Sequence, residues 1–392
     1  MTWLANGRVV DVRTGEILDG CVEVESGVIR RVERGSPPVG AETLDLRGIY
    51  LLPGLISCHT HLSVVYPFSA TDENESPAVT VLRAAKRAKD ALHAGITTLR
   101  CVHEQHRVDL VIRAATAQGW VEAPRILGAG RAISTTGGHG TGIGCALADG
   151  PDAFLHAART EFAAGADHIK VFITGGIADA GEGFDVPQMT EAEMRAVVRA
   201  ASEHHSYVVA HAGSAGAIRQ AIAAGILAFE HGYWLDDDTA RLMAESGATL
   251  TPTLSVTSSP GWMRDHHFTQ AQIDKAMETG PEHLESIRRA IRAGVTLVNG
   301  TDYIPGEPAS GTSVAVHEME LMANAGLTPV QALQTVSINA AKLCRITQLA
   351  GCIEPGLAAD FVAVRRDPTQ DIAHMREMPF VMQGGRVVRW DQ

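Results

Sequence analysis

The chain has 392 residues, 45% of them apolar and 20% charged, a composition that excludes a fibrous or intrinsically disordered protein. Its formal charge of −12 offers no cationic footprint for nucleic acid or an anionic membrane surface. No apolar run approaches the ~20 residues of a membrane-spanning helix. The first residues lack the order of a signal peptide, and the six cysteines form no C-x-x-C pair, so we read a reduced, cytoplasmic protein.

Residues 1–53 read as short strands punctuated by turns. Asn6-Gly7 precedes Val9–Val12, and Val22-Glu23-Val24 passes through Ser26-Gly27 into Val28–Val32. The far end behaves alike, with Phe361–Val364, then Val381-Met382 and Arg386–Val388 across Gly384-Gly385. Neither end alternates with helices, so residues 1–53 and 353–392 are expected to form one small β-sandwich domain built from both termini.

Residues 54–352 have another rhythm. Apolar runs near 54–58, 97–102, 125–128, 168–173, 207–210, 227–230, 249–252 and 296–299 alternate with Ala-rich helical stretches such as Glu191–Ser202 and Thr239–Glu245. Several helices end in Ala-Gly (94–95, 164–165, 224–225, 293–294), which predicts left-handed C-cap glycines. Eight βα units over roughly 300 residues predict an α/β fold of the (β/α)8 TIM-barrel type. An open doubly wound sheet is the rival, but no G-x-G-x-x-G follows the first strand.

In such a barrel the chemistry lies at the C-terminal ends of the strands. The first strand ends in His59-Thr60-His61. In extended chain, residues two apart face the same side, so both imidazoles are able to meet one cation, although H-x-H alone is a weak signal. Lys170 stands in an apolar strand, where a bare ammonium is costly unless paired or neutralised. It either snorkels out at the strand end or is carboxylated by CO2 to an anion with two oxygens that bridge two cations. His211 and His231 each end a strand, one βα repeat apart, and Asp302 ends the last. Each has an ordinary reading alone, as a core histidine or an Asx-turn residue. Six such residues at strand ends together point to a metal site.

His-x-His, Lys, His, His and Asp on strands one, four, five, six and eight resemble the binuclear amidohydrolase superfamily. The resemblance covers the whole chain, from Leu52-Pro53-Gly54 to Ala359-Asp360-Phe361-Val362. A narrower likeness is to the imidazolonepropionase-related branch with Xaa-Pro dipeptidases (prolidases) and ochratoxin-type amidases. It rests on Gly137-Gly138-His139-Gly140, on Lys170 with Thr174-Gly175-Gly176, and on Glu230-His231-Gly232-Tyr233. Cys101 stands where that pattern has Asp, and Ile177-Ala178-Asp179 replaces its Val-x-Ser.

The resemblance implies two divalent metal ions, zinc by expectation. His59, His61 and Asp302 would hold one and His211 and His231 the other, with carboxylated Lys170 and a hydroxide bridging them. It implies Asp302 as proton carrier, His139 as donor to the carbonyl oxygen, and Tyr233 as a second substrate contact; His103 and His106 are further candidates to line the substrate. The expected enzyme is a metal-dependent hydrolase cleaving the amide C–N bond of a small molecule, a dipeptide or N-acyl amino acid. Arg100, Arg131 and Arg264 are the candidates to face a substrate carboxylate. A cyclic amide or imidazolone-type hydrolase is the alternative within enzymes. A non-catalytic scaffold is the alternative outside them, against which the intact Lys170 and Asp302 argue. Neither nucleic acid nor membrane is expected as partner, and the sequence leaves a homo-oligomer open.

Overall fold

The computed structural model describes residues 2–177 and 181–391. Five strands open the chain: β1 (Thr2–Val10), β2 (Ile17–Glu25), β3 (Val28–Arg34), β4 (Thr43–Asp45) and β5 (Tyr50–Pro53). Strands and helices then alternate: β6 (Leu55–Thr60), α1 (Pro77–His93), β7 (Ile96–Cys101), α2 (Val108–Ala117) and β8 (Arg125–Gly128). Two short strands, β9 (Ile133–Ser134) and β10 (Ala146–Leu147), precede α3 (Pro151–Ala163) and β11 (Ile169–Phe172). The rhythm continues through α4 (Glu191–Glu203), β12 (Val208–Ser214), α5 (Ala215–Ala224), β13 (Ala228–Trp234), α6 (Asp237–Glu245) and β14 (Thr249–Thr251). Then come α7 (Pro260–Asp265), α8 (Gln270–Ala293), β15 (Thr296–Leu297) and a small hairpin, β16 (Pro308–Ala309) with β17 (Thr312–Ser313). The chain ends with α9 (Val314–Ala325), α10 (Pro329–Thr335), α11 (Ile338–Leu343), β18 (Phe361–Val364), β19 (Phe380–Gln383) and β20 (Arg386–Trp390).

Strands from both ends share one eight-stranded sheet, ordered β20-β19-β18-β5-β1-β2-β3 with β4 against β1. Ser26-Gly27 makes the expected tight turn, both residues at positive φ. Asn6-Gly7 does not. These residues lie inside β1, where Asn6 takes φ 54° and the register against β2 shifts between Leu4 and Gly7. The left-handed residue is a bulge within a longer strand, so the Asn-Gly signal marked an irregularity rather than a hairpin.

Apart from the antiparallel β16-β17 hairpin, the middle strands are parallel and form two sheets, β10-β9-β11-β12-β13-β14-β15 and β6-β7-β8. Backbone bonds outside the ladders join them on both sides. Cys58 N donates to Asn299 O at 2.7 Å and Thr301 N to His59 O at 3.0 Å, which sets the segment after β15 against β6. Asp167 N donates to Gly128 O at 2.8 Å, which sets the start of β11 beside β8. Helix α6 begins two residues earlier than its apolar pattern suggests because Asp236 caps it, accepting from Thr239 N at 2.7 Å. The Ala-Gly pairs behave as C-caps, with Gly95, Gly165, Gly225 and Gly294 all at positive φ. Among the described residues, no helix is long and apolar enough to cross a membrane.

The loops at the strand ends are held by buried carboxylates. Glu104 accepts from Leu62 N and Ser63 N just after β6, and Glu318 on α9 accepts from Leu254 N and Ser255 N after β14. Close approach does the rest. A Cβ on Gly300 would lie 2.5 Å from His59 N and 2.6 Å from His59 Cβ, so only glycine lets the segment after β15 pack on the end of β6. Gly300→Ala should therefore cost about 1–3 kcal/mol through overpacking. Gly216→Ala in α5, where nothing lies within 4 Å, should be neutral or stabilise by up to about 1 kcal/mol. Urea unfolding of the two variants side by side provides the check.

Candidate metal centre

Parallel strands and the segments that follow them bring His59, His61, Lys170, His211, His231 and Asp302 onto one cleft of about 680 Å³, which His139 also lines; Lys170, His211 and His231 lie within their strands rather than at the ends. His59, His61 and Asp302 place ligand atoms within 4.8 Å of one another. Asp302 Oδ1 lies 3.0 Å from His61 Nε2 and 3.2 Å from His59 Nε2. The rings of His59 and His231 are 5.1 Å apart, and those of His211 and His231 4.5 Å.

Each histidine has one ring nitrogen occupied by an oxygen behind it. Nδ1 of His59 meets Glu230 Oε2 at 2.5 Å, and Nδ1 of His61 meets His103 O at 3.0 Å. Nδ1 of His231 meets Thr253 Oγ1 at 2.7 Å, and Nε2 of His211 meets Gly175 O at 3.0 Å. With the occupied nitrogen carrying the proton, the other presents a lone pair, the arrangement in which imidazoles bind metals. Burial first, and then neighbouring imidazoles and the Lys170 charge, push His211 and His231 well below the ordinary histidine range, so both are neutral donors. Burial would raise the Asp302 carboxyl, but His59 and His61 hold it well below its ordinary value. Four imidazoles and an ionised carboxylate suit a divalent ion of zinc's character.

Lys170 is 1% exposed and, apart from lying over the Phe172 ring, makes no hydrogen bond or ion pair among the described residues. Burial pulls its ammonium down to about 8, against opposing pulls from Glu230 and Asp302. A long basic side chain closed in by candidate ligands, its head 5.4 Å from the Phe172 ring centroid and with no hydrogen bond or ion pair among the described residues, is the strongest anomaly in the site.

Glu230 and Arg100 explain how the centre is supported. Both are fully buried; Arg100 Nη2 donates to Glu230 Oε1 at 2.5 Å and Arg100 Nε to Cys58 O at 2.5 Å. Burial would raise Glu230, but Arg100 and His59 bring it down to about 2, so it stays ionised. Arg100 thus lies behind His59 and does not face substrate. Arg131 pairs with Glu161 at 3.2 Å and Arg264 is exposed on α7, so none of the three arginines anchors a carboxylate in the cleft. His103 and His106 leave the substrate as well. Ile143 O and Ala132 N occupy the two ring nitrogens of His103, and His106 Nε2 reaches Glu75 O.

His139 is oriented by a residue with no distinctive sequence signal. Its Nδ1 lies 2.5 Å from Glu182 Oε2, which also accepts from Gly176 N at 2.9 Å. Lys275 on α8 fixes that loop by donating to Gly176 O and Glu182 O. A Cβ on Gly176 would strike both the His139 and His211 rings, which accounts for glycine there. The Tyr233 side chain lines a second, apolar cavity beside Asp302, and its hydroxyl has no hydrogen-bond partner among the described residues. Cys101 packs in the core against α1 and α2, away from the cleft. Ile177 lines the apolar cavity, while Ala178 and Asp179 lie outside the described residues.

A family model described as "Amidohydrolase family" matches residues 50–388. An ochratoxinase from Aspergillus niger is 26% identical over 370 residues, covering 86% of this chain and 75% of its own. An imidazolonepropionase from Acinetobacter baumannii is 26% identical over 389 residues, covering 90% and 87%. The crystal structure of a Xaa-Pro dipeptidase with methionine bound in its active site superposes with a TM-score of 0.90, at 29% identity and 99% coverage of both chains.

Glu230→Gln should keep the shape of the site yet leave Arg100 uncompensated in the interior, costing about 3–5 kcal/mol of stability. It should also weaken metal binding by roughly 10–100-fold through the lost support of His59. Denaturation and competitive metal titration of the same preparation measure both effects.

Proposed function

Since the chain belongs to the amidohydrolase family, and is thus a hydrolase acting on small molecules, we propose that it cleaves the amide bond of a dipeptide or N-acyl amino acid at a two-metal centre. The observation that carries this reading is the buried Lys170, with no hydrogen bond or ion pair among the described residues, set among four histidines and Asp302. In this reading the Lys170 ammonium first gives up one proton, and its neutral Nζ then bonds to CO2 and gives up a second, replacing a buried cation with an anionic carbamate. His59, His61 and Asp302 would hold one ion and His211 and His231 the other, with the Lys170 carbamate supplying anionic oxygens to the pair. When bound, two divalent ions, zinc by donor type, polarise the scissile carbonyl and lower the pKa of water.

The chain's own groups do the rest. Asp302 takes the proton of the attacking water and returns it to the leaving amine. His139, turned by Glu182, and the free Tyr233 hydroxyl face the carbonyl oxygen as charge develops there. The same reading closes the parallel strands of residues 54–352 into a (β/α)8 barrel, supported by the bonds from Cys58 to Asn299 and from Asp167 to Gly128. Residues 1–53 and 353–392 form its β domain. Likeness to the Xaa-Pro dipeptidase supports the linear substrate. On zinc-loaded enzyme, turnover of ring amides alone would transfer the reading to a cyclic amide hydrolase.

Lys170→Ala should lower bound metal from about two ions per chain to one or none and abolish most activity. Lys170→Arg should fail equally, because a guanidinium keeps its charge and supplies no bridging anion. Elemental analysis of the purified variants decides the matter; full occupancy with normal turnover would overturn the bridge.

Asp302→Asn separates binding from proton transfer. It keeps an oxygen ligand but loses the basic carboxylate, so turnover should fall by roughly 10²–10⁴-fold with most metal retained. Turnover within about tenfold of wild type would remove Asp302 as the proton carrier.

A further inference from the structure

Two cavities meet at the candidate centre. The wide cleft runs out past the loop 137–143, whereas the second cavity holds only about 40 Å³. They share Phe68, His139, His211 and Asp302, so the wall between them is where a bond under attack must lie. A substrate at that wall sends one flank into each space.

The small cavity is apolar on every side except this shared wall and the Tyr233 hydroxyl. Tyr66, Phe68, Ile177, Met263, Phe268 and Tyr303 line it. The polar tips of its other tyrosines are spent: Tyr66 donates to Asp302 O at 2.5 Å and Tyr303 to Ser255 O at 2.9 Å. Among the described residues, no lysine or arginine lines it, and its only histidines are His139 and His211 of the shared wall. The nearby His266 is stacked on Trp262 and bonded to Glu307. Past the shared wall, where Asp302 belongs to the candidate metal set, an incoming ammonium or carboxylate would lose its water and meet only apolar side chains and the Tyr233 hydroxyl among the described residues. Its volume has room for a few carbon atoms. Stacked rings (Trp262 on Tyr303 at 3.7 Å, and Tyr66 edge-on to Trp262) stiffen the far wall against expansion.

We infer that the enzyme selects amides carrying a small, uncharged, apolar group on one flank of the scissile bond, while the flank in the wide cleft is loosely restricted. This rests on the amide-hydrolase reading and names its substrate class. The inferred selection is by exclusion of charge and bulk on one side, not by an ion pair to the substrate.

The test uses two series of linear amides with zinc-loaded enzyme, one varied on the acyl side and one on the amine side through Ala, Val, Pro, Trp, Lys and Glu. One series should favour Ala, Val or Pro over Lys, Glu and Trp by at least about 100-fold in kcat/KM. The other should vary by less than about tenfold. Met263→Ala and Phe268→Ala, measured separately, should admit Trp in the selective series alone. Calorimetric binding of the same amides to Asp302→Asn enzyme should repeat the ranking without turnover. Lys or Glu within tenfold of Val in both series, or a size limit unmoved by either variant, would overturn the inference. If the wild type cleaves no amide while binding still ranks small apolar groups first, the hydrolase reading falls and the pocket assignment stands.

Discussion

A carboxylate with no exposure to water, Glu230, joins three strands at the floor of the centre. It takes Arg100 from β7 on one oxygen and His59 from β6 on the other, while belonging itself to β13. The arginine also grips the backbone of β6 at Cys58, directly before the first ligand. Charges so deep carry a desolvation penalty, and a well-packed apolar substitute is often no less stable. Its presence makes sense when a neighbouring group requires a fixed negative charge. His59 is that group: Glu230 fixes which nitrogen carries the proton and so which one faces Asp302.

The same logic runs outward. Each remaining histidine is fixed by an oxygen that the fold supplies from a different place: a backbone carbonyl after β7, another after β11, and the Thr253 hydroxyl after β14. His231, Thr253 and Asp302 all hold positive φ without being glycine. Such backbone is mildly unfavourable and persists only where its surroundings insist on it. Three such residues around one cleft indicate strand ends bent to aim side chains inward, with Glu104 and Glu318 clamping adjacent loops. Rigid positioning of this kind suits groups that must act within a few tenths of an ångström.

This construction also explains what the sequence reveals. The ligand set is legible because period-two strands put polar residues at isolated, spaced points, as in His59-Thr60-His61, and because Lys170 interrupts an otherwise apolar strand. Several helix ends are legible because glycine takes the left-handed C-cap conformation at least cost, as at Gly95, Gly165, Gly225 and Gly294, whereas His205, His267 and Arg345 take it after α4, α7 and α11 with no such signal. Other features depend on contacts between distant residues, which no local pattern encodes. Arg100 looks like a substrate anchor until Glu230, 130 residues away, is found beside it. Glu182 lies in a loop with no periodicity, and only folding brings it to His139. Asn6-Gly7 is sound turn chemistry, but β2 and β4 pair along both sides of the segment and make it a bulge.

The distribution of these features separates what is carried by the strands from what is carried by the loops. Nearly all the candidate ligands and the groups that orient them lie on or directly after parallel strands, which tolerate little change without losing the core. Apart from His211 and Tyr233, much of the small cavity's wall comes from elsewhere: Tyr66 and Phe68 from the segment before α1, Met263 from α7, Phe268 from the turn before α8, and Tyr303 from the segment beyond β15. These segments lie at the ends of three different strands, and loops there change without disturbing the strands beneath. Chains as distinct as an ochratoxinase and an imidazolonepropionase match this one over most of its length at only 26% identity. A shared strand framework is compatible with quite different walls, so substrate preference has to be argued from the residues that line this chain's own cavity. Here those residues are aromatic and aliphatic with most of their hydroxyls spent, and what they reject, charge and bulk, says more about the substrate than the ligand set does.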